Sequence, residues 1–181
     1  LFKPGDAVEG RPVACFRIPS LVAANGTLVA FACARNWTGD GCVPRHPVPT
    51  DDSTRIVMRS STDRGKSWSP ISLVAVNAMD FEAVYDADTG DLLVQECSGD
   101  KGCRQNGKSN MQIRSSNLGE TWLPPTILGA AVLGKADGVL VGPGRGLQLR
   151  GNRAGKQGRL LWCGHKDDDA HGRITPIWVS D

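Results

Sequence analysis

An arginine standing alone on one side of a strand can grip an anion, and Phe16-Arg17-Ile18-Pro19 has that pattern. Successive strand residues face opposite sides, so Phe16 and Ile18 are expected on one face and Arg17 by itself on the other. Pro19 has no N–H and limits pairing beyond it. Such an arginine is either a surface charge or a rigidly held guanidinium whose parallel N–H groups match a carboxylate two-pronged. Other chemistries find little support. His46, His165 and His171 form no metal set, and Cys163-Gly164-His165 has no second pair at zinc spacing. No Ser-His-Asp or Cys-His arrangement points to a protein nucleophile of that kind. The glycines of Gly142-Pro143-Gly144-Arg145-Gly146 lie between strand-like runs, with no helix N-terminus to receive a phosphate. Arg145 and Arg159 read as rim charges, and Asp167-Asp168-Asp169 as a solvated loop. No metal or other cofactor is expected.

The elements that must position Arg17 are strands. The chain has 181 residues, 40% hydrophobic and 22% charged, a globular composition long enough to bury a core. Its 21 Lys and Arg against 19 Asp and Glu leave a net charge of +2, too weak to suggest a nucleic-acid or polybasic membrane partner. No run approaches the roughly 20 apolar residues of a membrane helix. No charged-then-apolar leader opens the chain, which starts at Leu1 and stops at Asp181 in strand-like sequence, so a segment of a longer protein is expected. Short apolar runs flank the hairpin signal Asn25-Gly26 and the turn Asp86-Ala87-Asp88-Thr89-Gly90. Arg55 to Ser60, Met111 to Ser115, Val139 to Val141, Leu147 to Leu149, Arg159 to Cys163 and Ile174 to Val179 complete a series of short strands, which suggests an all-β sandwich, barrel or propeller.

An internal repeat selects the propeller. Ser61-Thr62-Asp63-Arg64-Gly65-Lys66-Ser67-Trp68 and Ser115-Ser116-Asn117-Leu118-Gly119-Glu120-Thr121-Trp122 share the pattern Ser-x-Asp/Asn-x-Gly-x-Ser/Thr-Trp. Gly65 and Gly119 are 54 residues apart, a period suited to one four-stranded blade. Each octet is a self-contained turn: the Asp or Asn oxygen bonds backbone N–H groups just ahead, glycine supplies positive φ, and Trp covers the turn. A third copy begins at Ser180-Asp181. This repeat resembles the Asp box, a structural motif of propellers that lies on the outer rim of the blades.

Phe16-Arg17-Ile18-Pro19 together with two such octets resembles the Phe/Tyr-Arg-Ile-Pro signature of the exo-α-sialidases. The resemblance runs in order from about Phe16 to Asp181 and implies the first two to three blades of a six-bladed β-propeller, with residues 1–181 a partial propeller domain. It implies that Arg17 is the first of three arginines that bind the sialic acid carboxylate. The run Thr27-Leu28-Val29-Ala30-Phe31-Ala32-Cys33-Ala34-Arg35 is similar to the family's Gly-x-Leu-Leu-Ala-Phe-Ala-Glu-x-Arg strand, Cys33 replacing the usual Glu, and Arg35 matches an arginine near the sugar 4-hydroxyl. The family places its general acid/base Asp five or six residues further on, which selects Asp40; counting back from the next strand selects Asp51 or Asp52 instead. Met79 and Asp80 match the second-blade position that lines the pocket around the acylamino and 4-hydroxyl side. The implied reaction is retaining hydrolysis of terminal α-linked sialic acids from glycoproteins, glycolipids and oligosaccharides, with a Tyr nucleophile activated by a Glu. A neutral phenol escapes the repulsion a carboxylate nucleophile would meet from an anionic sugar. Tyr85, the only tyrosine, sits in an apolar strand and does not fit that role. The nucleophile, its Glu and the other arginines would lie in later blades, so these residues alone are expected to be inactive and prone to aggregate through open strand edges. A non-catalytic propeller that binds glycans or proteins, and a trans-sialidase, are the rival readings.

Cysteine usage speaks to compartment. Cys97 and Cys103 flank a glycine-bearing turn that a local disulfide could close, and Asn25-Gly26-Thr27 and Asn36-Trp37-Thr38 are N-glycosylation sequons. A lysosomal or secreted location is expected. Gly142 to Leu149, the Cys97–Cys103 spacing and Cys163-Gly164-His165 are similar to the lysosomal sialidases of animals, which points to ganglioside catabolism.

Overall fold

The computed structural model describes residues 1–36, 42, 54–98, 110–129, 139–150, 158–168 and 172–180. Among them are strands and turns, and no helix long and apolar enough to cross a membrane. A small hairpin, β1 (Ala7–Val8) and β2 (Arg11–Pro12), precedes the first blade. That blade is an antiparallel meander of β3 (Cys15–Ala24), β4 (Thr27–Arg35), β5 (Thr54–Ser61) and β6 (Ser72–Val76). The second repeats the order with β7 (Ala78–Asp86), β8 (Asp91–Ser98), β9 (Asn110–Ser115) and β10 (Thr126–Leu128). The third is assembled from β11 (Leu140–Val141), β12 (Gly144–Arg145), β13 (Leu147–Gln148), β14 (Leu160–Asp168), β15 (Gly172–Ile174) and β16 (Ile177–Val179), with β14 pairing β11, β13, β15 and β16. The inner strands β3, β7 and β12 touch one another, so the blades radiate from a common side.

Local sequence explains the strand joints. Asn25 and Gly26 both take positive φ, 46° and 80°, as a two-residue hairpin turn requires. The two octets fold alike. Asp63 Oδ1 accepts the Ser67 N–H and the Ser61 hydroxyl, and Ser61 Oγ accepts the Gly65 N–H. Asn117 Oδ1 accepts the Thr121 N–H and the Ser115 hydroxyl, and Ser115 Oγ accepts the Gly119 N–H. The last bond reverses direction: the Ser67 hydroxyl donates to Asp63, whereas the Asn117 amide donates to the Thr121 hydroxyl. These bonds to the charged form hold the Asp63 carboxyl down at about 2.

Packing follows from the alternation of central strands that bury both faces. On β4, Val29, Phe31 and Cys33 face blade 2, while Ala32 and Ala34 join Val8, Val13 and Val57 on the opposite side. Phe31 meets Phe81 and Trp122 edge-on, at centroid separations of 6.2 and 6.3 Å, so the second octet's tryptophan seals the joint between blades 1 and 2. On β8, Leu92 and Val94 face blade 1 and Leu93 faces blade 3, where it packs with Val84, Leu160 and Trp162.

Two parts of the third blade differ from the sequence reading. The expected strand from Ile174 to Val179 is broken at Thr175-Pro176 into β15 and β16, because proline supplies no N–H to the ladder. The glycine-rich segment after β11 is not a plain connector. Its β12 leaves β14 and pairs in parallel with β7, Gly144 opposite Glu82 and Arg145 opposite Ala83. Gly142 has φ 75°, and a Cβ there would lie 2.6 Å from the Phe81 carbonyl oxygen, so the close approach of two backbones demands glycine.

Gly142→Ala is therefore expected to destabilise more than Gly26→Ala, whose added Cβ meets nothing within 4 Å. Both incur the left-handed backbone cost of about 1–2 kcal/mol, and Gly142→Ala adds about 1–3 kcal/mol of overpacking. Urea unfolding of the two variants measures the difference. Acid offers a second check on the octets. A depressed Asp63 value means stabilisation that is present above the ordinary 3.8 and lost as pH falls through about 2. Acid titration of Asp63→Asn, which copies the second octet, should lack that component.

Candidate functional site

Two inner strands break their alternation at matching places. Between Arg17 and Ser20 the pairing of β3 with β4 shifts, and Ile18 takes φ 52°. Between Met79 and Phe81 the pairing of β7 with β8 shifts, and Asp80 takes φ 46°. Bulges of this kind re-aim side chains and gather next to functional sites. Positive φ is a genuine outlier for a β-branched residue such as Ile18, and costs of order 1–3 kcal/mol. The first bulge also corrects the expected common face of Phe16 and Ile18. Phe16 stacks on Phe2 at 5.4 Å in the core beside the β1–β2 hairpin, whereas Ile18 packs into the core between blades 1 and 2.

Arg17 is half-buried and lies directly across the ladder from Cys33; Cys15 lies across from Arg35. Cys33 and Arg35 are two residues apart, so both project toward blade 2. Arg35 is 1% exposed, and its Nε donates to Cys33 Sγ at 3.5 Å. Its NH2 reaches Asp80 Oδ1 at 3.6 Å, a carboxylate delivered by the second bulge and still 22% exposed. Burial pushes the Cys33 thiol up, Asp80 adds to that, and Arg35 and Arg17 pull the other way. The Arg17 charge is thus felt at the same sulfur that Arg35 contacts. Arg17, Cys33, Arg35 and Asp80 form one cluster at the joint of the two inner strands.

The site residues expected from sequence distribute as follows. Arg17, Arg35 and Asp80 come together, while Met79 packs against the apolar core between blades 1 and 2. Asp40, Asp51 and Asp52 lie outside the described residues, as does Cys103, the expected partner of the disulfide-bonded Cys97. Tyr85 sits at the far end of β7 and packs on that core. A disulfide that the sequence left open joins Cys15 to Cys42. It anchors the chain two residues before Arg17 and, in sequence, two residues after Asp40. Glu82 was also missed: it is 1% exposed, and the alternating pattern of β7 gives no sign of a buried acid. Among the described residues no cluster of three His, Cys, Asp or Glu is arranged to hold a metal ion.

No protein-family model matches the chain. Solved structures do. The fold is similar to the Hadza microbial sialidase Hz136 (TM-score 0.67, 20% identity, 94% of this chain and 37% of that one). It is similar to the NanB sialidase of Streptococcus pneumoniae (0.66, 15%, 98% and 45%) and to the Trypanosoma rangeli sialidase in complex with sialic acid (0.63, 19%, 94% and 29%). The leech intramolecular trans-sialidase is a further match (0.64, 15%, 93% and 44%). The chain spans less than half the length of each of these four. It has the sialidase propeller fold, and makes up part of such a propeller.

Asp80→Asn is expected to lower stability by about 1–3 kcal/mol in urea unfolding. Breaking a buried ion pair costs about 3–5 kcal/mol, and the partial exposure of Asp80 and the 3.6 Å separation reduce that figure.

Proposed function

We propose that this chain, whose fold is that of the sialidases, is part of an exo-α-sialidase that releases terminal α-linked sialic acids from glycoproteins, glycolipids and oligosaccharides with retention. The observation that carries the reading is the convergence of Arg17 and Arg35 with Asp80 at two matched bulges. In this reading Arg17 grips the sugar carboxylate, since a guanidinium offers parallel donors to a planar anion. Arg35 is held by Asp80 and borders the 4-hydroxyl side; Asp80 shapes the wall beside it, and Met79 backs that wall from the apolar core. Asp40 protonates the leaving oxygen, with Asp51 and Asp52 as alternatives. The Cys15–Cys42 disulfide favours Asp40, because it fastens the neighbouring chain to the start of the Arg17 strand. Protonation of a departing alkoxide needs a carboxylic acid whose proton is retained near working pH. A Tyr nucleophile and its Glu come from chain beyond these blades.

The octets are read as Asp boxes, which hold the blade rims and take no part in the chemistry. A lysosomal or secreted location, with ganglioside among the substrates, is supported by the Cys15–Cys42 disulfide, the disulfide-bonded Cys97 and the two sequons. No nucleic-acid partner is proposed, for want of charge.

Turnover of a fluorogenic sialoside by the full-length protein tests the reading. Release of free sialic acid is expected, with no dependence on an added galactoside acceptor. Transfer to lactose, or an anhydro sugar as product, would make the protein a trans-sialidase; glycan binding without turnover would make it a lectin-like propeller. Arg17→Lys should lower kcat/KM roughly 10–100-fold, the loss of a charge-assisted bond pair worth about 1.5–3 kcal/mol.

A further inference from the structure

Glu82 is 1% exposed in the seam between blades 2 and 3. Its carboxyl group accepts two bonds, both from Cys163: the backbone N–H at 2.9 Å on Oε2 and the thiol at 2.9 Å on Oε1. The surrounding seam is backbone against backbone. Gly142 N–H donates to the Cys163 carbonyl and Gly146 N–H to the Ala83 carbonyl, while Gly144 pairs opposite Glu82 itself. A Cβ at Gly142 would come within 3.1 Å of Glu82 Cγ, so the acid and the glycine segment fill the same small space.

Among the described residues, the groups facing Glu82 bring it no counter-charge. From β8 the opposite residue is Gln95, neutral and bonded to Gln112 and Trp178. From β12 come Gly144 and Arg145, the latter exposed. From β14 come Cys163 and, two residues on, half-buried His165; β11 brings Leu140 and Val141, and β16 brings Trp178. On β7 itself, Asp80 engages Arg35. Burial pushes the Glu82 carboxyl above the usual glutamate range, and the two Cys163 bonds offset part of that. A buried carboxyl group with no cation is most stable in its neutral form.

We propose that Glu82 is a proton-dependent positioning residue: as the neutral acid it keeps the Gly142–Arg145 segment seated on β7, and on ionisation it loosens that seating two residues from Asp80. The neutral form still accepts the Cys163 N–H, whereas the ionised form must recover solvation, which opening of the seam provides. Because the folded value is raised, the stabilisation is complete below the ordinary glutamate value of 4.5 and is lost as pH climbs through the raised value. The consequence for turnover rests on the sialidase reading; the seam itself does not.

The test uses the full-length protein and Glu82→Gln, which is neutral at every pH and keeps an acceptor for the N–H. The wild type should lose melting temperature relative to Glu82→Gln as pH rises from about 4.5 to 8, with the two converging in acid. Cys163, a half-exposed free thiol pushed up to about 11 by burial and then by Glu82, supplies a local readout. Corrected for the thiolate fraction read from thiolate absorbance, iodoacetamide should label it roughly 3–10-fold faster in the wild type than in Glu82→Gln at about pH 8.5, because only the wild type opens the seam. Buried Cys33 is the unlabelled control. Should Glu82→Gln fail to fold, Cys163→Ala removes the thiol bond and is expected to steepen the fall of melting temperature with pH. With a sialoside substrate, Glu82→Gln should extend the alkaline limb of kcat/KM. Parallel melting curves together with unchanged labelling would overturn the proposal. A protein that cleaves no sialoside yet shows both effects would sink the enzyme reading and leave the seam intact.

Discussion

A guanidinium with one per cent of its surface in water must be met by acceptors inside the protein, and Arg35 is met in part by a carboxylate from another blade. That requirement governs the geometry around it. Asp80 reaches Arg35 from a strand that has slipped its register and turned one residue into the left-handed region. The matching departure at Ile18 lets Arg17 stand opposite Cys33 while its neighbours pack into two different cores. Regular strands would present polar and apolar groups in strict alternation. The cluster exists because two inner strands give up regularity at the same height, and the apolar joint beneath them, Phe31 against Phe81 and Trp122, holds the strain in place.

Much of this architecture is legible in the residues. The octets announce both their own turns and the blade period, since their bonds are local and depend on residue type alone. Asn25-Gly26 fixes a hairpin for the same reason. Arg17, Arg35 and Asp80 could be paired with a pocket through family resemblance, but their meeting depends on bulges that no periodicity reveals. A bulge is a misfit between two strands, and its position is set by what lies on the partner. The Phe16–Ile18 alternation failed on that account. Glu82 was hidden for a related reason: a lone acid in a strand usually faces water, and its burial arises from β12 folding across it.

The two seams between blades are built from different materials. Blades 1 and 2 meet through aliphatic and aromatic side chains, with the charged cluster at one end. Blades 2 and 3 meet through a smaller apolar patch and a set of polar ties. Gln95 accepts the Trp178 indole N–H, Gln148 accepts the Ala87 N–H and donates to Asp86, and Glu82 binds Cys163. Apolar seams tolerate small displacements, because contact energies vary smoothly with distance. Hydrogen-bonded seams are directional and either made or broken.

The strand exchange at β12 has a topological consequence. Repeat proteins whose units touch through side chains alone can melt one unit at a time, each neighbour losing only an interface. Here a piece of the third unit is woven into the main-chain ladder of the second, so neither can unravel without cutting the other's backbone bonds. The pair should behave as a single cooperative block, and rearrangements of chain order, such as new termini or grafted modules, would have to spare the link between β11 and β13.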